Sequence, residues 1–320
     1  MATGEHENTR GRDAQDGHNG RGILYSEASE KDAEAFKAAL AEHQEEHGPD
    51  FRGMVFPEYA NFEGSMFESA PVVFRDATFR NGATFSGAMI AFGADFENAT
   101  FNGEADFSNV VFDSEHSEAA SFKNATFRDE ANFGSAIFGG ASIFEHATFE
   151  GETSFDSATF EGVSNFEHAV FKKEAAFKNT TFTAAEYINA TFEDRTTFEN
   201  AVFKGETYMQ KVLFMDRASF EDASFGLEAF FRHASFRNVA DFVGATFKGE
   251  GGFRSASFWS GANFEDVTFR YAGFGNAVFK GKAAFGNATF EDTVSFEGAM
   301  FAGGADFEGV TAKDEMSLPF

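Results

Sequence analysis

ATFEGVSNFEHAVFKKEAAFKNTTF, residues 158–182, places phenylalanine at Phe160, Phe166, Phe171, Phe177 and Phe182. The steps are six, five, six, five. The beat runs on from Phe51 to Phe307, through Phe96, Phe101, Phe107, Phe112 and later Phe279, Phe285, Phe290, Phe296, Phe301. About 47 beats fall in that span, and those that are not Phe are Ile90, Tyr187 and Met209. The chain of 320 residues holds 48 Phe and 32 Gly. That load marks a repetitive design rather than an ordinary mixed core.

A second column accompanies the first. Two residues before each Phe the side chain is small, as at Ala99, Ala125, Ala147, Ala158, Ala169, Ala201, Ala245 and Ala288. After each Phe come polar residues or glycine, as in Glu161-Gly162, Lys172-Lys173 and Glu199-Asn200. Each unit therefore offers one small and one large inward residue, then a polar corner. A helix does not fit, because steps of five and six place successive Phe about 140° and 240° round the axis, so no stripe forms. Glycine at so many corners would also cost ~1 kcal/mol each in a helix. A plain strand needs longer alternation. What fits is a solenoid of short extended sides joined by tight corners. Four sides of 5, 6, 5 and 6 close a 22-residue coil; an 11-residue coil would have to hold Phe from both faces across a thin body. At ~4.8 Å per coil, about twelve coils make a rod ~55–60 Å long. The Phe ladder is its core. Each buried ring contributes ~2–3 kcal/mol before entropy is set against it, and stacked pairs add ~0.5–1.5 kcal/mol.

The alternating A-T-F-x-x and x-A-x-F-x-x units, as in Ala158-Thr159-Phe160-Glu161-Gly162, resemble those of pentapeptide-repeat proteins. That family's pattern is A-[DN]-[LF]-x-x, and the resemblance covers about 80% of the chain. It implies an all-β solenoid, a right-handed quadrilateral β-helix. Two departures stand out. The central residue is nearly always Phe rather than Leu, and every second unit carries an extra residue, which predicts a larger or slightly bulged coil.

The beat breaks in a few places. Phe112 to Phe122 is a gap of ten, which stays in phase if four residues, Ser114, Glu115, His116 and Ser117, project as a loop. That loop is a candidate partner contact, or simply a tolerated surface insertion. Phe182–Tyr187–Phe192 and Phe269–Phe274–Phe279 run five plus five, and Pro71 marks an extra residue between Phe67 and Phe74. These are expected to be local bulges.

Solenoid ends need caps. Ser29-Glu30-Lys31-Asp32 reads as a helix start and Gly48-Pro49 as its stop. A helix over Ser29–His47 would lay Phe36 and Leu40 over the first coil. The organisation is then 1–22 polar and disordered, 23–50 capping helix, 51–311 β-helix and 312–320 a tail. In that tail Met316, Leu318 and Phe320 are candidates for a cap or for a homodimer contact through the solenoid end.

The net charge of −27 argues against direct contact with nucleic acid or anionic membrane and favours basic partners. No run of ~18 apolar residues is present. The absence of cysteine excludes disulfides and thiolate chemistry. We expect a cytoplasmic protein. No G-x-S-x-G, H-E-x-x-H or P-loop motif occurs, so neither an enzyme nor a cofactor is expected. His146 and His168, 22 apart beside Glu145 and Glu167, fall at equivalent places on successive coils; two surface corner residues is the plainer reading than a metal pair. Three roles fit such a rod: a scaffold that binds another protein, an end-stacking assembly element, and a DNA mimic. The resemblance implies a type II topoisomerase, DNA gyrase, as the mimic's partner. The candidate acidic face is Glu150, Asp156, Glu161, Glu193, Glu199, Glu221, Glu265 and Glu291. Lys172, Lys173, Lys178, Arg232, Lys248, Arg254 and Arg270 interrupt it.

Overall fold

A computed structural model describes residues 23–24, 33–113 and 118–313. The chain winds into a parallel β-solenoid with four sides. Side 1 runs from Val55–Phe56 to Met300–Phe301 and side 2 from Ala60–Asn61 to Ala305–Asp306, each a sheet twelve strands deep. Sides 3 and 4 share a sheet of nineteen strands, because strands such as Thr159–Asn165 and Thr246–Gly252 run unbroken through the corner between them.

The register is 22 residues. Thr126 pairs with Thr148 and Phe127 with Phe149, all in parallel. Each core Phe therefore lies over the residue at its own position in the next coil, which is nearly always another Phe. Phe127 and Phe149 stack at 4.8 Å and 4°; Phe138 and Phe160 stack at 4.6 Å and 1°. Across the coil, rings meet edge to face, as Phe133 meets Phe144 at 5.6 Å and 90°. Both arrangements suit the ring quadrupole. The small residue two before each Phe is likewise buried, Ala147, Ala158 and Ala169 among them.

The two kinds of step make two kinds of corner. Five-residue steps out of sides 2 and 4 close a type II turn: the Ala158 N–H donates to the Phe155 carbonyl at 3.0 Å, and Ser157 between them sits at φ 60°. That left-handed position is filled by Asn98, Asn124, His146, Asn179, Asn200 and Asp222 in other coils, types that tolerate it because a short polar side chain bonds locally. Lys211 takes it too, at φ 58°. Six-residue steps make wider corners that press on the coil before. A Cβ on Gly162 would lie 2.4 Å from the Gly140 carbonyl carbon.

The breaks in the beat appear as breaks in register. Val55 pairs with Thr78, one residue beyond the period. Thr100 pairs with Thr126, four beyond it; the residues responsible, 114–117, lie outside the described residues. Where a residue is lost, the strand goes straight through the corner. Thr181–Glu186 and Thr268–Gly273 do this, and the preceding coil bulges between Phe160 and Val163 and between Phe247 and Glu250.

Helix α1 spans Ala33–His47; the start expected at Ser29 lies outside the described residues. Gly48, at φ 66°, ends it with its N–H donating to the Gln44 carbonyl at 2.9 Å. Phe36 is buried edge-on against Phe56 of the first coil at 5.8 Å, and Leu40 packs beside it. At the other end Phe301, Phe307 and Val310 are only partly buried. Met316, Leu318 and Phe320 lie outside the described residues.

One rung carries a misfit. Tyr187 takes the Phe position and stacks on Phe166 at 4.8 Å, but its hydroxyl is buried with no hydrogen-bond partner, and burial raises its pKa well above the usual range. On the next coil Met209 interrupts the ring ladder, and the Thr207 hydroxyl is also unpartnered. An unmade bond to a buried hydroxyl costs ~1–3 kcal/mol. Tyr187→Phe is therefore expected to raise stability in urea unfolding by about 1 kcal/mol or more, with the m-value unchanged; a loss of stability would show that the hydroxyl has a partner in solution.

Candidate interaction surfaces

The inward positions are occupied by core, so chemistry is confined to the outward columns. In each column, residues one coil apart are neighbours, and charge is organised along these columns.

The eight carboxylates picked out from the sequence fall on three corners. Glu150 and Glu193 follow the Phe of side 1, Asp156, Glu199, Glu221 and Glu265 follow the Phe of side 2, and Glu161 and Glu291 follow the Phe of side 3. Several are neutralised in place. The Lys172 ammonium donates to Glu150 at 2.7 Å and holds that carboxyl below the usual range. Lys178 pairs with Glu199 at 3.2 Å. Column by column, Arg128, Glu150, Lys172 and Glu193 alternate in sign.

A different column is uniformly acidic. Glu104, Glu130, Glu152 and Glu174 precede the side 2 strands and stack on the edge between sides 1 and 2, as the bonds from Ala105 N–H to the Glu130 carbonyl and from Ala131 N–H to the Glu152 carbonyl show. Asp106 and Asp129 flank them. Partial burial, and then the charges of Glu104, Glu152, Asp129 and Asp106, raise the Glu130 pKa. The run ends where Arg195 closes on Glu174 at 2.6 Å and Arg217 reaches Asp241 at 2.7 Å. The eight residues chosen from the sequence do not include this edge. Its signal is the 22-residue spacing of Glu130, Glu152 and Glu174, hidden one step further at Glu104 by the four-residue insertion.

Side 4 between residues 204 and 275 has the opposite character. Lys204, Lys248 and Arg270 stand on one border; Lys211, Arg232 and Arg254 stand on the other. All six are exposed, and none has a carboxylate at ion-pair distance among the described residues. Against the first border lies a groove of about 650 Å³, lined by Leu227, Glu228, Glu250, Tyr271, Gly273 and Ser295 with Lys248 and Arg270. In the outward column Tyr208 and Phe230 stack, the Phe230 ring lies over Gly252, and Gly273 then lines the groove without a side chain.

His146 and His168 stack at 4.8 Å and 7°, each about 3.6 Å from its neighbouring Glu. Among the described residues no three metal-binding side chains converge. Trp259 is held between Arg237 and Lys280, 4.3 and 3.2 Å from the ring centre. Ser114–Ser117 lies outside the described residues. No described helix is long and apolar enough to cross a membrane.

The family of pentapeptide repeats (9 copies) matches at 117–159, 144–186, 155–202, 187–234, 231–278 and 270–311, together more than half of the chain. No curated protein matches the sequence. Among solved structures, the chain is similar to HetL, a pentapeptide repeat protein involved in heterocyst differentiation regulation from the cyanobacterium Nostoc, at 14% identity and a TM-score of 0.24, covering 85% of this chain and 95% of that one.

The stacked carboxylates give a direct readout. In an NMR titration Glu130 is expected to lose its proton at higher pH than an isolated glutamate, and Glu104→Gln with Glu152→Gln to shift it down. A raised folded pKa means that the edge destabilises the fold as pH rises through that window, and relieves it as pH falls. An unshifted Glu130 would show that its neighbours are not felt.

Proposed function

The chain belongs to the pentapeptide-repeat family, and from that premise we propose that it is a non-enzymatic rod whose outward columns bind another protein in the cytoplasm. The observation that carries this is charge segregation. An acidic edge at Glu104–Glu174 and a cationic border at Lys204–Arg270 occupy different sides and different coils of one rigid scaffold. Among the described residues the inward positions are filled by core, and the carboxylates of the acidic edge lie on an outward corner without the enclosure that catalysis needs. Quantitative capture from a bacterial lysate tests it. Wild type is expected to retain a discrete set of proteins that is lost when Glu104, Glu130 and Glu152 become Lys, or when Lys248 and Arg270 become Glu. A retained set indifferent to both would overturn the reading.

The acidic edge also favours a second reading, a DNA mimic for DNA gyrase. Six carboxylates over four rungs, spanning about 14 Å, approach the charge density of duplex DNA, one per ~1.7 Å. This run is short, however, and is closed by Arg195 and Arg217. Mimicry predicts salt-sensitive inhibition of gyrase supercoiling that disappears with Glu104→Lys, Glu130→Lys, Glu152→Lys. No inhibition at any concentration would remove this reading and leave the first.

A further inference from the structure

The chain carries −27 overall, yet side 4 between residues 204 and 275 concentrates cations that the rest of the surface does not neutralise. Many cations elsewhere are engaged: Arg75 with Asp95 and Glu97, Lys123 with Glu145, Lys172 with Glu150, Arg195 with Glu174, and Arg237 and Lys280 with Trp259. Lys204, Lys211, Arg232, Lys248, Arg254 and Arg270 instead have no carboxylate at ion-pair distance among the described residues; Lys248 and Arg270 line the groove, where Arg270 also lies 5.4 Å from the Tyr271 ring.

We propose that this groove binds an extended, acidic segment of a partner protein, with acidic side chains meeting Lys248 and Arg270 and its backbone lying over Gly273. The proposal rests on the interaction reading above and names the kind of partner and the place. Three features select a peptide. Gly273 removes an outward side chain from the groove lining, which lets a backbone approach closely. Glu228 and Glu250 line the groove beside the cations, where a peptide's N–H groups can donate to them. A phosphate backbone offers no such donors, and the overall negative charge repels it. Leu227, 49% exposed, with Tyr271, supplies apolar contact for intervening side chains. The groove owes its shape to the local sequence. Gly251 lacks a Cβ that would lie 2.8 Å from the Phe269 ring, and the five-residue step from Phe269 to Phe274 takes the strand straight through the corner.

The test is fluorescence anisotropy on the full chain with a labelled twelve-residue peptide of repeating Asp-Glu-Phe. Saturable binding is expected, weakening as salt rises. Lys248→Glu with Arg270→Glu should weaken it at least tenfold, whereas Arg128→Glu, on the corner between sides 1 and 2, should leave it within twofold. Gly273→Val separates shape from charge. A Cβ there meets only Glu250 Oε1 at 3.4 Å, so the fold tolerates it, and a filled groove should weaken binding severalfold with no change in charge. The proposal is overturned by no binding at millimolar peptide, by equal loss with Arg128→Glu, by an unaffected Gly273→Val, or by tighter binding of a dT12 oligonucleotide. Failure here with a surface-dependent set still captured from lysate would remove the groove and keep the interaction reading.

Discussion

The coincidence of two spacings governs this molecule. Parallel strands hydrogen-bond at ~4.8 Å, and the stacked rings lie 4.5 to 5.6 Å apart. A phenylalanine on every rung can therefore satisfy the backbone ladder and its own ring contacts at once. Leucine is smaller and has no ring to make that directional match. The price of the coincidence is uniformity: a residue that departs from Phe disturbs rungs on both sides. At Tyr187 and Met209 this shows as orphaned hydroxyls and an interrupted ladder on side 4.

The same spacing acts on the surface. Any outward residue meets its counterpart one coil away at about the same distance, so a repeat with identical corners would stack like charges along the whole rod. At ~4 Å two such charges interact by about 1 kcal/mol in water and more where water is excluded. Most columns avoid this by alternation, as Arg128, Glu150, Lys172 and Glu193 do, with the Glu150–Lys172 pair closed at 2.7 Å. Columns that do not alternate are then informative. The Glu104–Glu174 edge tolerates repulsion that a single Gln or Lys would relieve, and the side 4 borders keep cations apart from the carboxylates available nearby. Structure alone does not require either.

The fold was legible because its determinant is a strict one-dimensional period. Phe steps of five and six defined four sides and a 22-residue coil, and the gap at Phe112–Phe122, the extra residue near Pro71 and the losses at Tyr187 and Phe274 each reappear as a register change of the expected size. The surface was much less legible. The eight carboxylates taken as one acidic face lie on three corners, since a residue after the Phe of side 1 and one after the Phe of side 2 lie a full side apart. Phase within the coil, not composition, decides which charges meet. The groove at side 4 was invisible for a related reason: it depends in part on what is missing, the side chain at Gly273.

Because each coil touches only its neighbours, stability and surface can vary along the rod independently. Four extra residues separate Thr100 from Thr126, yet the two still pair in parallel. The loss at Phe274 straightens another corner and shapes the groove while Phe253 and Phe274 still stack at 5.1 Å. The ladder absorbs such changes because an inserted or deleted residue lies between rungs, where it alters a corner and leaves the ring positions in phase. Departures from the period thus fall at corners, and corners are where this chain presents its charges. The core's regularity permits local irregularity at the surface, and on such a scaffold the irregular corners are the places to look for recognition.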